Sequence, residues 1–287
     1  MGYHSIVLVK QVPDTANITG DAMKEDGTVN RAALPAIFNP EDIHALEAAL
    51  EVKDRFGGTV TVVTMGPPKA ADVLRDSLYR GADRVILLTD RRAGGSDTLA
   101  TSYILSQAVA TIGDYDFIFC GRQAIDGDTA QVGPQCAEKL GLPQVTYLEK
   151  ILDVQGKKAT LRRNIGNGWE DVETPLPVLV TVIESANTPR PVSAKRYMKN
   201  KFKRVPLELE PDAPGTAEAS ARGDLLEQWG LDDINADLNR CGFAGSPTKV
   251  HRIQSIVLKK EGSVSVEPTE GGIRGLVREL IDDRTLG

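Results

Sequence analysis

Short apolar runs alternate with longer amphipathic stretches through the first half of the chain. The runs Ile6 to Val9, Val60 to Met65, Val85 to Leu88 and Phe117 to Cys120 are rich in Val, Ile, Leu and Phe, as buried strands are, and each gap between them is wide enough for a helix. The first helix is predicted from "NPEDIHALEAALEVKDRFGG". Asn39 can cap it, Pro40 suits the first helical position, Glu41 and Asp42 complement the helix dipole, and Gly57 ends it. Its apolar stripe is Ile43, Leu46 and Leu50. A second helix, "PPKAADVLRDSLYRGAD", puts Ala71, Leu74 and Leu78 on one face and stops at Gly81. The third, "SDTLATSYILSQAVATIGD", has Ser96 or Asp97 as its cap and Gly113 near its end. This alternation predicts an α/β fold with a mostly parallel sheet and helices on both faces.

From about residue 146 the rhythm changes to strands without helices. "VTYLEKILDVQGKKATLRRNIGNGWEDVETPLPVLVTVIES" offers β-rich pieces with turn signals at Gln155-Gly156 and Asn167-Gly168, so antiparallel strands are expected to extend or flank the sheet. Val178 to Ile183 is apolar enough to be covered. After Ser185 the chain reads as a basic loop, "NTPRPVSAKRYMKNKFKRVP", and then as a Glu-, Pro- and Ala-rich stretch to about Arg222. The tail contains a short amphipathic piece, "DLLEQWGLDDINADL", a basic strand-like piece, "TKVHRIQSIVLKK", and a helix candidate, "GGIRGLVRELIDD". With little core of its own, it must lie on the main domain or on another subunit.

Composition narrows the function. A formal net charge of -6 over 287 residues gives no reason to expect a nucleic-acid or anionic-membrane partner. No stretch approaches the length of a membrane span, and no basic leader precedes the first strand, so a cytoplasmic protein is expected. Cys120, Cys136 and Cys241 lack CxxC spacing, and His4, His44 and His251 are the only histidines, which argues against disulfide, zinc or iron–sulfur chemistry. The two cysteines nearest the glycine-rich turn have no histidine near them in sequence and read as small core residues.

The candidate chemistry lies in "CGRQAIDGDTAQVGPQCAEKLG", a glycine-rich turn between a strand and a helix. Such a turn exposes unpaired amides at a helix N-terminus, where the dipole favours an anion. Alternatively Gly121, Gly127 and Gly133 only permit a tight loop, and Asp126 and Asp128 are caps or surface. "TMGPPKA" converges on the same sheet edge, with Gly66 allowing close approach of a ligand. In "FNPED", Asn39 either caps its helix or presents its amide to an adenine or ribose. GxGxxG, GxxxxGK[ST] and GxSxG are all absent, so the site reads as an adenine-nucleotide site without side-chain catalysis.

The phrase "GRQAIDGDTAQVGPQ" after "DFIFC" resembles the signature of the electron-transfer flavoprotein β subunit. "VLVKQVPD", "NPED", "TMGPPKA", "RGADRVILLTD", "LRRNIGNGWEDVETPLPVLVTV" and "NTPRPVSAKRYMKNKFK" extend the resemblance over nearly the whole chain. It implies a Rossmann-like nucleotide-binding domain over residues 1–185, a basic partner-recognition loop and linker over 186–222, and a C-terminal arm over 223–287 that packs on a larger α subunit. In that family the α subunit of the heterodimer carries the electron-transferring FAD, and the β subunit holds either structural AMP or a second FAD. In the bifurcating group the β-subunit FAD accepts hydride from NADH. One electron then passes through the α-subunit FAD to an acyl-CoA dehydrogenase-type flavoprotein, the other to a low-potential acceptor such as ferredoxin or flavodoxin.

Two features resemble the bifurcating group. Ala130, Gln131 and Val132 stand where AMP-binding members usually show Asn before the Gln and Thr after it. "GSDTLATSYIL" is similar to the stretch bordering the second flavin, with small residues at Gly94, Gly95, Thr98, Ala100 and Thr101; a capped helix after a flexible loop is the plain alternative. By the resemblance, Gly121, Arg122, Gln123, Ile125, Asp126, Gly127, Asp128, Thr129, Ala130, Gln131 and Val132 wrap ribose and phosphates, with amides near Thr129 and Gln131 on the pyrophosphate. Val9, Asn39, Asp42 and Gly66 line the adenosine end, and Asp97, Thr98 and Thr101 border the flavin. "PRPVSAKRYMKNKFKR" resembles the loop that recognises the dehydrogenase, but Ala194 stands where many members show leucine. "GFAGSPTKVHRI" resembles the arm that reaches the α subunit. A nucleotide-sensing stress-type module would be shorter, and a stand-alone oxidoreductase would need a catalytic side-chain set that is not seen.

Overall fold

The computed structural model describes residues 2–14, 34–209, 224–248 and 265–283. The first apolar run becomes β1 (Tyr3–Val9), followed by a small antiparallel pair, β2 (Gln11–Pro13) and β3 (Ala36–Phe38), that the sequence pattern did not reveal. Then come α1 (Pro40–Phe56), β4 (Gly58–Met65), α2 (Ala71–Arg80), β5 (Arg84–Leu88), α3 (Thr98–Ile112), β6 (Phe117–Gly121) and α4 (Val132–Leu140). The second half supplies β7 (Gln144–Gln155), β8 (Lys158–Asn164), β9 (Trp169–Pro175), β10 (Val178–Val182), α5 (Ala194–Asn200), β11 (Glu227–Trp229), α6 (Gly242–Gly245) and α7 (Glu270–Asp282).

The main sheet runs β11-β5-β4-β1-β6-β10-β7-β8-β9. Every pair from β11 to β7 is parallel, and only β7-β8-β9 is antiparallel. The expectation of uniformly antiparallel strands after residue 146 is therefore corrected at β10, which lies inside the sheet, parallel to both neighbours. All five residues of β10 are buried, as a strand covered on both faces requires, whereas in β7 only Val145, Leu148, Ile151 and Val154 are buried as the strand leaves the covered region through shifts of register.

Side-chain alternation along β1 sends Val7 and Val9 to one face and Ile6 and Leu8 to the other. Leu46 and Leu50 of α1 and Leu74 of α2 pack on the first face with Phe117 and Val180, while Leu105 and Val109 of α3 and Cys136 of α4 pack on the second with Ile118 and Ile86. Both faces are thus sealed.

Two further readings change. The basic segment expected as a loop contains α5, whose start Ser193 caps and whose Tyr197 packs edge-on against Tyr79 of α2 with ring centroids 4.9 Å apart. The "DLLEQWGLDDINADL" piece is β11 and a turn: β11 pairs with β5 at the sheet edge, and Leu231, Ile234 and Cys241 then bury against Leu88, Tyr103 and Ile104. This part of the tail lies on its own domain. The Glu-, Pro- and Ala-rich stretch after residue 209 and nearly all of "TKVHRIQSIVLKK" fall outside the described residues. Among the described residues no helix is long and apolar enough to cross a membrane.

Candidate functional site

The chain builds β4 and β5 on one side of β1 and then crosses back through α3 to place β6 on the other. A parallel sheet that reverses direction this way leaves a crevice beyond the strand C-termini at the switch point. Here that point lies between β1 and β6. A cleft of about 380 Å³ opens there, walled by Leu8 and Val9 of β1 and Lys10 just beyond it, by the β6–α4 loop, and by the start of α3.

The loop is held from behind by the first turn of α1. Asn39, fully buried, donates through Nδ2 to the Gln123 carbonyl at 2.9 Å and accepts from the Ile125 N–H at 3.1 Å. Glu41 accepts from the Gln123 N–H at 2.8 Å and pairs with Arg122 at 2.7 Å. Asp42 accepts from the N–H groups of Lys10 and Gly121 at 2.8 and 2.9 Å, tying the ends of β1 and β6 together. In front, Lys10 pairs with Asp126 at 2.7 Å. The side chain of Asn39 therefore does not cap α1, contrary to the simpler expectation; its amide bonds the loop backbone and also meets the Asp42 carboxyl.

Glycine at position 121 serves the same clamp. A Cβ there would lie 2.5 Å from Asp42 Oδ1 and 2.8 Å from Glu41 Cβ. At Gly133 a Cβ would meet Cys120 Sγ at 2.7 Å, whereas Gly127 faces open space. Two of the three loop glycines are thus required by the chain's own packing.

Beyond the clamp the backbone turns sharply, with Asp128 and Ala130 at φ of 50° and 52°. This is the left-handed region, which Asp enters comparatively readily and Ala only when its surroundings impose it. Gln123 Nε2 donates to Asp128 Oδ1 at 3.0 Å and braces the turn. The N–H groups of Thr129, Ala130 and Gln131 have no partner among the described residues. α4 also begins without a side-chain cap, because the Gln131 side chain accepts from Thr98 Oγ1 at 2.9 Å instead. Unpaired amides and an open helix N-terminus along one rim make an edge suited to an anion. The floor is apolar, with Leu8, Met65, Leu105 and Cys120. A polar rim over an apolar floor suits a nucleotide.

The opposite wall is the start of α3. Asp97 caps it, accepting from the N–H groups of Leu99 and Ala100 at 2.9 and 3.0 Å, with Thr98 and Thr101 next to it in the cleft. The expected segments therefore converge, and of the site residues named from sequence only Asn39, Gly66 and Ile125 stand outside the lining. Gly66 gives its N–H to the Leu88 carbonyl at 3.1 Å and abuts Ala70, so its close approach is to its own chain. Leu8, Lys10, Met65, Ser96, Leu105, Cys120, Ala124 and Gly133 also line the cleft, beyond the residues that the sequence predicts. Strand alternation would have found Leu8; Met65 and Leu105 depend on the packing of α3.

Burial pushes the Asp42 carboxyl up to about 7, an effect only partly offset by its N–H bonds from Gly121 and Lys10. Burial likewise pushes the Cys120 thiol well above its ordinary range and Cys136 up to about 12. Both thiols are neutral core groups at physiological pH rather than nucleophiles.

Residues 26–208 match the family described as "Electron transfer flavoprotein domain". The chain is 42% identical to the electron transfer flavoprotein subunit beta of Clostridium acetobutylicum, covering 97% of this chain and 98% of that one. It is 39% identical to the FixA protein of Sinorhizobium fredii, over 97% of this chain and 92% of the relative. It is also 40% identical to subunit CarD of the caffeyl-CoA reductase–Etf complex of Acetobacterium woodii, over 96% and 97% of the two chains.

Proposed function

The chain belongs to the electron transfer flavoprotein family, as a β subunit, and on that premise we propose that its cleft holds FAD and that the protein works as a cytoplasmic heterodimer with an α subunit. The observation that carries this reading is the pairing of unpartnered amides at Thr129, Ala130 and Gln131 with an apolar floor that continues to Met65 and Leu105. Phosphates fit the amide rim, and a flat ring system fits the floor beside Thr98 and Thr101. Bound there, FAD would supply hydride acceptance from NADH and division of the two electrons between the α-subunit FAD and a low-potential acceptor such as ferredoxin or flavodoxin. The chain's own residues hold the geometry: Asn39, Glu41 and Asp42 fix the loop, and the uncapped α4 terminus offsets phosphate charge. No side chain is assigned as general acid or base.

AMP is the second reading. The cleft of about 380 Å³ is also of a size for a mononucleotide. In this reading the subunit is a carrier that passes electrons between a dehydrogenase and another acceptor through the α-subunit FAD.

Two exposed surfaces supply partner sites. On α5, Met198 is 61% exposed one turn after Ala194, and Phe202 is 70% exposed just beyond, both among Lys195, Lys199 and Lys201. Such an apolar anchor in a cationic rim suits an acidic face on an acyl-CoA dehydrogenase-type flavoprotein. The name of CarD, which places that relative in a complex with a caffeyl-CoA reductase, supports a partner of this class. On α7, Ile273, Leu276, Val277 and Ile281 form one exposed apolar face that the α subunit would cover.

The test is nucleotide content: the protein co-purified with its α subunit is denatured, and FAD and AMP are counted per heterodimer. Two FAD and no AMP is the expected result. One of each would establish the carrier reading.

A further inference from the structure

The Asp97 carboxylate that caps α3 at the cleft has a second set of partners. While Oδ1 accepts from Leu99 and Ala100, Oδ2 accepts from Thr248 Oγ1 at 2.6 Å and from the Thr248 N–H at 3.0 Å. The N–H of Asp97 itself donates to Ser246 Oγ at 2.9 Å, and Ser246 is buried. Nothing in helix capping requires these contacts, since the two α3 amides already satisfy the cap.

The segment carrying Ser246 and Thr248 is pressed onto α3 along its length. Tyr103 of α3 accepts the Asp237 N–H at its hydroxyl, 2.9 Å away, and lies under the Arg240 guanidinium at 3.9 Å. Ser96 Oγ accepts the Gly242 N–H at 3.1 Å, and a Cβ on Gly242 would collide with the Arg92 carbonyl. On the cleft side, Thr98 donates to Gln131 of the loop at 2.9 Å, and Ser102 to Gln135 of α4 at 2.9 Å. One carboxylate thus stands between the C-terminal segment and the wall of the cleft.

We propose that Thr248 and Ser246 are positioning residues for the nucleotide site, holding Asp97 and the α3 terminus in the orientation that the bound nucleotide meets. The proposal rests on the reading of the cleft as a nucleotide site. Because linkage is reciprocal, whatever the C-terminal segment contributes to nucleotide affinity, the nucleotide returns to the anchoring of that segment. The cleft thereby reports its occupancy to a part of the chain remote from the loop signature.

The heterodimer with its α subunit is stripped of nucleotide and titrated separately with AMP and with FAD. Gln131→Glu keeps the bond from Thr98 and puts a negative charge on the amide rim, and so identifies which binding event belongs to the cleft. Thr248→Val keeps the shape and removes the hydroxyl donor; it is expected to weaken that event about fivefold, the worth of one hydrogen bond, and Thr248→Ser to restore it. In the wild type the Thr248 and Ala100 amides should exchange more slowly with deuterium when nucleotide is bound, and this protection should shrink in Thr248→Val. Cleft binding that depends on Gln131 but is unchanged in Thr248→Val would overturn the positioning role alone. Binding of both nucleotides indifferent to Gln131→Glu would overturn the nucleotide reading and the positioning role with it.

Discussion

Asp42 accepts the backbone N–H of Gly121 at 2.9 Å, so the first turn of α1 is joined to the last residue of β6 across 79 positions of sequence. With Asn39 and Glu41 the same turn binds the loop at Gln123 and Ile125. The "NPED" turn is therefore the mould of the glycine-rich loop as well as the start of a helix.

Replacing Asn39 separates these roles. If capping were its function, Asn39→Ser would be almost neutral and only Asn39→Ala would harm. As a clamp, both lose the amide that satisfies the Gln123 carbonyl and the Ile125 N–H. Both should therefore cost about 1 to 3 kcal/mol in urea unfolding, because two part-buried backbone groups lose their partners.

Asp42 gives the fold a pH dependence of definite sign. Its carboxyl is raised from 3.8 to about 7 by burial, so between those values the folded protein keeps a proton that the unfolded chain releases. This contribution to stability is complete below the lower value, declines as pH rises, and is gone above the higher one. Relative to Asp42→Asn, which cannot titrate, the wild type should lose about 1.4 kcal/mol per pH unit between roughly pH 5 and 6.5. Denaturant unfolding of both proteins across that range measures the difference. Parallel pH profiles would contradict it.

On α5, charge and anchor should act on different rate constants. Lys195→Ala with Lys199→Ala is expected to slow association with the dehydrogenase-type partner about tenfold at low salt, with the effect fading as salt rises. Met198→Ala should instead speed dissociation at all salt concentrations. Arg196 belongs to neither class, because it donates to the Arg80 carbonyl at 3.2 Å and fastens α5 to α2. Its replacement should lower stability. Surface plasmon resonance resolves the two rates.

The exposed face of α7 predicts an assembly defect without a folding defect. Ile273→Asp with Val277→Asp should weaken association with the α subunit by about 100-fold, the cost of losing two apolar anchors at an interface. The circular dichroism and unfolding midpoint of the isolated chain should stay unchanged, since among the described residues this face packs on nothing in the fold. Analytical ultracentrifugation of the mixed subunits provides the readout.

The sequence by itself determined the strand and helix alternation of the first half, the two-sided core and the position of the glycine-rich loop. Those features follow from local periodicity and from a contiguous motif, and residues close in sequence are enough to express them. Only the tertiary structure decided the parallel direction of β10, the helical form of α5, the engagement of Asn39 by the loop and the double role of Asp97. Each of these depends on partners far apart in the chain: Asn39 and Gln123 are separated by 84 positions, Asp97 and Thr248 by 151. A side-chain amide or carboxylate has the same local signature whether it caps its own helix or reaches across the fold. Its choice is made by whichever backbone group the fold brings within reach and would otherwise leave without a hydrogen bond.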